Sequence, residues 1–308
     1  MWRSDASMEI REGKAQSGDL KIHYEDMGNP DDPAVLLIMG LGAQLLFWRE
    51  DFCRKLVDQG LRVIRYDNRD VGLSTYFDGE RTRGSQVGNM VRSALGRPSP
   101  ALYTLEDMAD DAAALLDHLD IDRAHVVGGS MGGMIAQIVA ARHAERTRTL
   151  GVIFSSNNQA LLPPPGPRHL LAVITGPSPN SPREVIIENS VRVSRIIGSP
   201  GYPRPTDTLR ADAMAFYDRA FNPHGVARQF NAITGSGSLR KYNKQTTVPT
   251  VVIHGKADKL MRPSGGRAVA RAIPGARLVL FDGMGHELPE PLWDDIVGEL
   301  KTTFAEAP

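Results

Sequence analysis

The chain has 308 residues, of which 41% are hydrophobic, and this allows one large domain or a core that carries a smaller inserted one. Its 36 basic residues balance 36 acidic ones, so no net field attracts nucleic acid or anionic lipid, and we expect no nucleic-acid partner. The single cysteine, Cys53, excludes an intrachain disulfide, and the lack of an apolar run of signal-peptide or membrane-spanning length predicts a cytoplasmic protein without a membrane span.

Short apolar runs alternate with longer amphipathic runs through the first half of the chain, which is typical of a mainly parallel sheet covered by helices. The run AVLLIMG is apolar throughout, as in a strand buried on both faces. Thr104 followed by Asp107 predicts the capped start of a helix. In chain order we predict a strand at 20–28, a strand at 34–40, a helix at 45–59, a strand at 61–67, a polar loop at 84–100 and a helix at 104–121.

The second half resumes the same rhythm after an interruption. Between 158 and 245 the segment LLPPPGPRHLL excludes regular structure near its start, and no buried strand follows. We predict a helical cap at 158–245, lying over the carboxyl edge of a core formed by 1–157 and 246–308. The predicted elements are a strand at 124–129, a helix at 131–145, a strand at 149–156, cap helices at 183–197 and 207–221, strands at 250–255 and 276–283, and helices at 265–273 and 292–304.

The stretch VVGGSMGGMI places Ser130 between an apolar strand and a helix, in the pattern G-x-S-x-G. Gly128 and Gly132 stand two residues before and after it, where a side chain would collide with the adjoining strand and helix. The turn also places Ser130 at the amino end of a helix, whose free N–H groups favour an oxyanion. The alternative is a tight glycine turn without chemistry, but the strand-turn-helix context favours a nucleophile.

A serine nucleophile needs a base and an acid that orients the base. Asp258 and His286 each follow a predicted strand, and the order serine, acid, histidine is that of strand-turn-helix serine hydrolases. All three residues fall at the carboxyl ends of predicted parallel strands, where open α/β sheets place their sites. His254 is the rival base and Asp282 the rival acid, although Asp282 is only four residues from His286.

An oxyanion requires two donors. We assign them to the backbone N–H groups of Met131, directly after the nucleophile, and of Leu41, in the glycine-containing loop after the strand at 34–40. Apolar residues near these loops predict a pocket for an apolar acyl or alcohol group. The alternative is that these residues only pack the cap onto the core. The predicted substrate-binding residues are Met39, Gly40, Leu45, Leu161, Leu260 and Met261.

Four strings, VIRYDNRDVGLS, HVVGGSMGGMIAQ, VVIHGKAD and GMGHELP, resemble the α/β-hydrolase superfamily in order and spacing. The chain is most similar to the esterase branch that includes aclacinomycin methylesterase. The resemblance implies an α/β-hydrolase fold with an eight-stranded, mostly parallel sheet, a helical lid after the sixth strand, and a triad of Ser130, Asp258 and His286. Two positions depart from the family pattern: Met39 stands where many relatives have histidine, and Asp70 where they often have glycine.

The leading hypothesis is a serine carboxylesterase that acts on a small-molecule ester without a cofactor. The chain contains no C-x-x-C or H-E-x-x-H spacing, so we predict no metal site. A cofactor-free haloperoxidase or perhydrolase, a lactonase and a carbon–carbon bond hydrolase remain alternatives with the same triad. From another class, a non-catalytic ligand receptor on this fold is the alternative, and the sequence leaves the oligomeric state open.

Overall fold

The computed structural model describes residues 9–80 and 85–307, and in this part of the chain eight strands form one sheet. The spatial order is β1-β2-β4-β3-β5-β6-β7-β8, with β1 and β2 antiparallel at one edge and parallel pairing from β4 to β8. This confirms the predicted eight-stranded, mostly parallel architecture. The strands are β1 (Ile10–Ser17), β2 (Leu20–Met27), β3 (Ala34–Ile38), β4 (Arg62–Tyr66), β5 (Ala124–Gly129), β6 (Thr147–Ile153), β7 (Thr250–Gly255) and β8 (Arg277–Phe281).

Eleven α-helices lie within the same described residues, and five of them separate β6 from β7, where the cap was predicted. No helix described here is long and apolar enough to cross a membrane. The helices are α1 (Glu50–Val57), α2 (Gln86–Ala94), α3 (Leu105–His118), α4 (Met131–Arg142), α5 (Pro167–Ile174), α6 (Arg183–Ile197), α7 (Thr206–Arg219), α8 (Pro223–Ser236), α9 (Arg240–Gln245), α10 (Pro263–Ala272) and α11 (Trp293–Phe304).

The central strands are buried on both faces, which explains their continuously apolar sequences. Every residue of β3, β5 and β7 is buried. Successive residues of β3 face opposite sides: Leu36 joins the cluster that contains α3 and α4, and Leu37 joins the cluster that contains α1 and α11. The parallel sheet is therefore the middle layer of three, with helices on both of its faces. The loops that follow its parallel strands all begin at one edge, where the carboxyl ends of the strands lie.

Local sequence signals account for some helix boundaries and not for others. The capping box of α3 is confirmed, since Thr104 accepts from the Asp107 N–H and donates its own N–H to the Asp107 carboxylate. The predicted helix at 45–59 is divided, with a short 3₁₀ turn at Leu45–Phe47 before α1. The edge strand β1 was not predicted, because its residues are mostly polar and half exposed.

The predicted polar loop at 84–100 is wrong, because α2 occupies its first half. Ser85 caps this helix by accepting from the Gly88 N–H, while Val91 stays more than half exposed. The helix packs on α8 through a polar contact, in which the Asn89 amide donates to Asn231. Apolar residues at positions 87, 90, 91 and 94 do stand at helical spacing, so the sequence contains a sign of this helix that the predicted loop overlooked.

The five helices after β6 do not all lie together. Helices α5, α6 and α7 pack in sequence on one another, whereas α8 packs on α2 and α3, and α9 packs on α4 and α10. In α9, Asn243 donates to Gln137 of α4 and accepts from Asn157. The last part of the predicted cap segment therefore contacts the helices that flank the sheet, and the division of the chain at 157 and 246 stays a prediction.

Candidate active site

Ser130 lies at a strained turn between β5 and α4, with φ +56° and ψ −122°. A non-glycine residue adopts a positive φ only where its surroundings impose it. Space on both sides of the turn is closed by backbone: a Cβ at Gly128 would lie 2.1 Å from the carbonyl oxygen of Gly132, and a Cβ at Gly132 would lie 2.1 Å from that of Ile38. The two glycines are therefore required by the strand-turn-helix packing.

The structure brings together the three side chains predicted from the sequence. Ser130 Oγ lies 2.9 Å from His286 Nε2, and His286 Nδ1 lies 2.7 Å from Asp258 Oδ2. The loop that carries His286 is fixed by its backbone N–H, which donates to the carbonyl of Ile197 at the end of α6. A serine, an imidazole and a carboxylate thus form one continuous hydrogen-bonded chain.

The carboxylate of Asp258 is buried and fully bonded. Its Oδ1 accepts the backbone N–H groups of Leu260 and Met261, each at 2.9 Å. Burial raises the pKa of this carboxyl, but the neighbouring His286 and His254 outweigh burial and hold its pKa well below the ordinary value. Asp258 is therefore ionised at neutral pH and able to stabilise a positive charge on the His286 ring.

The other candidates for base, acid and nucleophile, which are His254, Asp282 and Cys53, do not contact Ser130. His254 is fully buried behind the acid, with Nε2 2.6 Å from the carbonyl oxygen of Met261 and 3.5 Å from Asp258 Oδ2. Asp282 is exposed and pairs with Lys256. Cys53 is buried in α1, where burial raises the pKa of its thiol to about 12, which leaves no thiolate for nucleophilic attack at neutral pH.

The loop after β3 lies directly against the serine. A Cβ at Gly40 would lie 2.9 Å from the Cβ of Ser130. Within the described residues, the backbone N–H groups of Leu41 and Met131 have no hydrogen-bond acceptor, and Met131 is the first residue of α4. Both N–H groups assigned to the oxyanion are therefore free to donate, and their role stays a prediction.

A cavity of about 740 Å³ separates the loop after β3 from helices α5 to α8. It meets that loop at Leu41 and Gly42, next to the glycine that contacts Ser130. Its lining is largely aliphatic and aromatic, with a few polar groups. The aromatic residues that line it are Phe47, Phe216, Tyr217, Phe221 and Phe230.

None of the six predicted substrate-binding residues lines this cavity, and their role in binding stays a prediction. Met39 and Leu45 are buried in the core. Leu161 is 86% exposed. Gly40 contacts Ser130, and Leu260 and Met261 act through their backbone N–H groups on Asp258, as described above.

Buried charges brace the loop after β4, in which Asp70 departs from the family pattern. Asp70 has φ +70° and accepts two hydrogen bonds from the Arg228 guanidinium, at 2.7 and 2.8 Å, and one from Tyr103. Arg69 makes a similar double contact with Asp111. No sequence pattern indicates Arg228 as the partner of Asp70, because Arg228 lies in α8, 158 residues away.

A neighbouring anchor uses the end of α7. Arg219 donates to the buried Asp67 and to Gln44. The Gln44 amide donates to the carbonyls of Phe216, in the last turn of α7, and of Ala220, directly after it. In the described part of the chain, no group of three or more His, Cys, Asp and Glu side chains is arranged to hold a metal ion.

Comparison with known proteins places this geometry in context. A family model described as the alpha/beta hydrolase fold matches residues 33–290. The chain is 30% identical over 301 residues to the rhodomycin D methylesterases DauP of a Streptomyces species and DnrP of Streptomyces peucetius, covering 89% of this chain and 93% of each relative. The crystal structure of an enol-lactonase from Burkholderia xenovorans is similar in fold, with a TM-score of 0.72 and 24% identity over 96% of this chain and 100% of that one.

Proposed function

Because this chain belongs to the α/β-hydrolase family, we propose that it is a serine carboxylesterase in which Ser130 is the nucleophile, His286 the general base and Asp258 the acid that orients it. Methylesterase relatives of nearly equal length support its assignment as a hydrolase acting on esters. The observation that carries the proposed mechanism is the hydrogen-bonded chain from Ser130 Oγ through the imidazole to the Asp258 carboxylate.

The reaction begins when Ser130 Oγ attacks the ester carbonyl carbon and its proton passes to His286 Nε2. The carbonyl oxygen becomes an alkoxide, which the N–H groups of Leu41 and Met131 stabilise. His286 then gives the proton to the alcohol oxygen as the ester C–O bond breaks, leaving an acyl group on the serine. Water attacks this acyl-enzyme, its proton passes through His286, and the acid leaves as Ser130 regains its hydroxyl.

The substrate that fits the cavity has a bulky apolar acyl group. A volume of about 740 Å³ is that of a site for a drug-sized molecule, and five aromatic side chains line it. The similar rhodomycin D methylesterases favour a small alcohol, methanol, as the leaving group. We therefore assign the large cavity to the acyl part of the ester and the space at Ser130 to the small alkoxide.

Replacement of the nucleophile tests this function. Ser130→Ala should abolish hydrolysis of p-nitrophenyl butyrate and labelling by a fluorophosphonate, while its thermal unfolding stays that of the wild type. Ser93→Ala in α2, away from the site, is the matched control and should retain both. Turnover retained by pure Ser130→Ala protein would contradict the mechanism, and halogenation with peroxide that outpaces ester cleavage would favour the haloperoxidase alternative.

A further inference from the structure

The loop that supplies the Leu41 N–H is a tight turn whose third residue is tied to helix α8. The Ala43 N–H donates to the Gly40 carbonyl and closes the turn, and Gly42 has the positive φ, +67°, that a type II turn requires at this position. The Gly42 N–H does not point to solvent: it donates to Gln229 Oε1 at 2.8 Å.

Gln229 is fully buried, and both ends of its amide are used. While Oε1 accepts from Gly42, Nε2 donates to the carbonyl of Arg69 at 2.8 Å. A rotated amide would set its NH₂ group against the Gly42 N–H and its oxygen against a carbonyl, so only one orientation satisfies the neighbours. The preceding residue in the chain, Arg228, is fixed in turn by the buried Asp70.

The orientation of the peptide between Leu41 and Gly42 therefore depends on α8. A second contact acts in the same direction, because a Cβ at Gly42 would lie 3.0 Å from the side chain of Val226, also in α8. If the bond to Gln229 were lost, the half-buried Gly42 N–H would need another acceptor, and the turn would reorganise to find one. The Leu41 N–H belongs to the same turn and would move with it.

We propose that Gln229 is a positioning residue for ester hydrolysis: acting through Gly42, it holds the Leu41 N–H at the place where the oxyanion develops. This inference rests on the proposed function. Gln229 does not touch the substrate, and its effect is expected on the transition state, where the oxyanion exists, rather than on substrate binding. Helix α8 of the inserted segment thereby becomes part of the support of the oxyanion loop.

The test compares two buried amides of the same helix. Gln229→Met keeps the length of the side chain and removes both hydrogen bonds, whereas Asn231→Leu removes a buried bond to Asn89 of α2 and leaves the oxyanion loop untouched. With p-nitrophenyl butyrate, we expect kcat of Gln229→Met to fall about 10- to 100-fold, somewhat less than for complete loss of one oxyanion donor, with KM within about twofold. Asn231→Leu should lower the thermal midpoint with kcat unchanged.

A transition-state analogue gives a readout that lost stability alone would not change. A trifluoromethyl ketone adds to Ser130 and forms an oxyanion, so its inhibition constant for Gln229→Met should rise by the factor by which kcat falls. Gln229→Glu keeps an acceptor for the Gly42 N–H and should retain more of kcat than Gln229→Met; it is also the variant to use if the methionine variant does not fold.

Two outcomes would overturn the inference alone: an active wild type with kcat unchanged in Gln229→Met, or an equal fall of kcat in Asn231→Leu. A wild type that neither hydrolyses the ester nor reacts with the fluorophosphonate would overturn the proposed function, and this inference with it.

Discussion

Helices α7 and α8 follow each other between β6 and β7 but meet different surroundings. In α7, Leu209 is the one buried residue, and the helix is anchored at its last residue, Arg219. In α8, six residues are buried, and four of these carry polar side chains: Arg228, Gln229, Asn231 and Thr234. The first helix mainly forms a wall of the cavity, whereas the second is joined to the loops after β3 and β4.

The difference lies in what each helix loses when its polar contacts are broken. The ion pairs between α6 and α7, such as Arg183 with Asp218, lie on the surface, where water replaces a lost partner. The pair of Arg228 and Asp70 has side chains that are 4% and 0% exposed, so a lost partner leaves an uncompensated buried charge. Helix α8 is thus tied to the loop after β4 by a buried ion pair in its middle, whereas α7 reaches a buried charge only through its last residue, Arg219.

Breaking the buried pair should have the largest effect on stability. Asp70→Asn leaves the Arg228 guanidinium buried without its countercharge and should lower the free energy of unfolding by about 3–5 kcal/mol, as for other buried pairs that lose one partner. Urea unfolding at pH 7 measures this change. The double variant Asp70→Asn with Arg228→Met removes the stranded charge and should recover part of the loss, and a loss below about 1 kcal/mol in Asp70→Asn would remove the contrast between α8 and α7.

Sequence reasoning reached the features of the site that depend on local chain geometry. Ser130 between two glycines, and Asp258 and His286 after their strands, could be placed because a parallel sheet brings the carboxyl ends of its strands to one edge. The start of α3 could be placed because Thr104 and Asp107 are three residues apart. Each of these signals lies within a few residues of the chain or follows from the sheet topology.

Contacts that depend on tertiary packing could not be predicted in this way. Gln229 lies 187 residues from Gly42, and an isolated glutamine in an amphipathic helix gives no sign that it is buried. The burial of Leu45 and the exposure of Leu161 could not be predicted for a related reason. A loop near the site fixes where the backbone runs but not where a side chain points, so one of these leucines is buried in the core and the other is exposed.

A larger side chain on α7 that fills part of the cavity tests whether the cavity holds the acyl group. Ala213 lines the cavity from this helix, and Ala213→Trp should occupy part of its volume. We expect kcat/KM for a methyl ester of a bulky aromatic acid to fall about 10-fold or more relative to that for methyl acetate, whose small acyl group needs little of this space. Equal loss on both esters would place the acyl group elsewhere, and unchanged thermal unfolding would show that the substitution acts on binding.

The smallest effect on stability and activity is expected for the exposed ion pair between α6 and α7. Arg183 donates to Asp218 at 2.8 Å, and this hydrogen bond raises the pKa of the arginine and lowers that of the aspartate, yet both side chains are exposed to water. Because solvent and salt screen such a pair, Arg183→Gln should leave the urea midpoint, kcat and KM within experimental error. Measurement at low and at high salt sharpens the test. A clear destabilisation that persists at high salt would mean that α7 is held to α6 as firmly as α8 is held to the loop after β4.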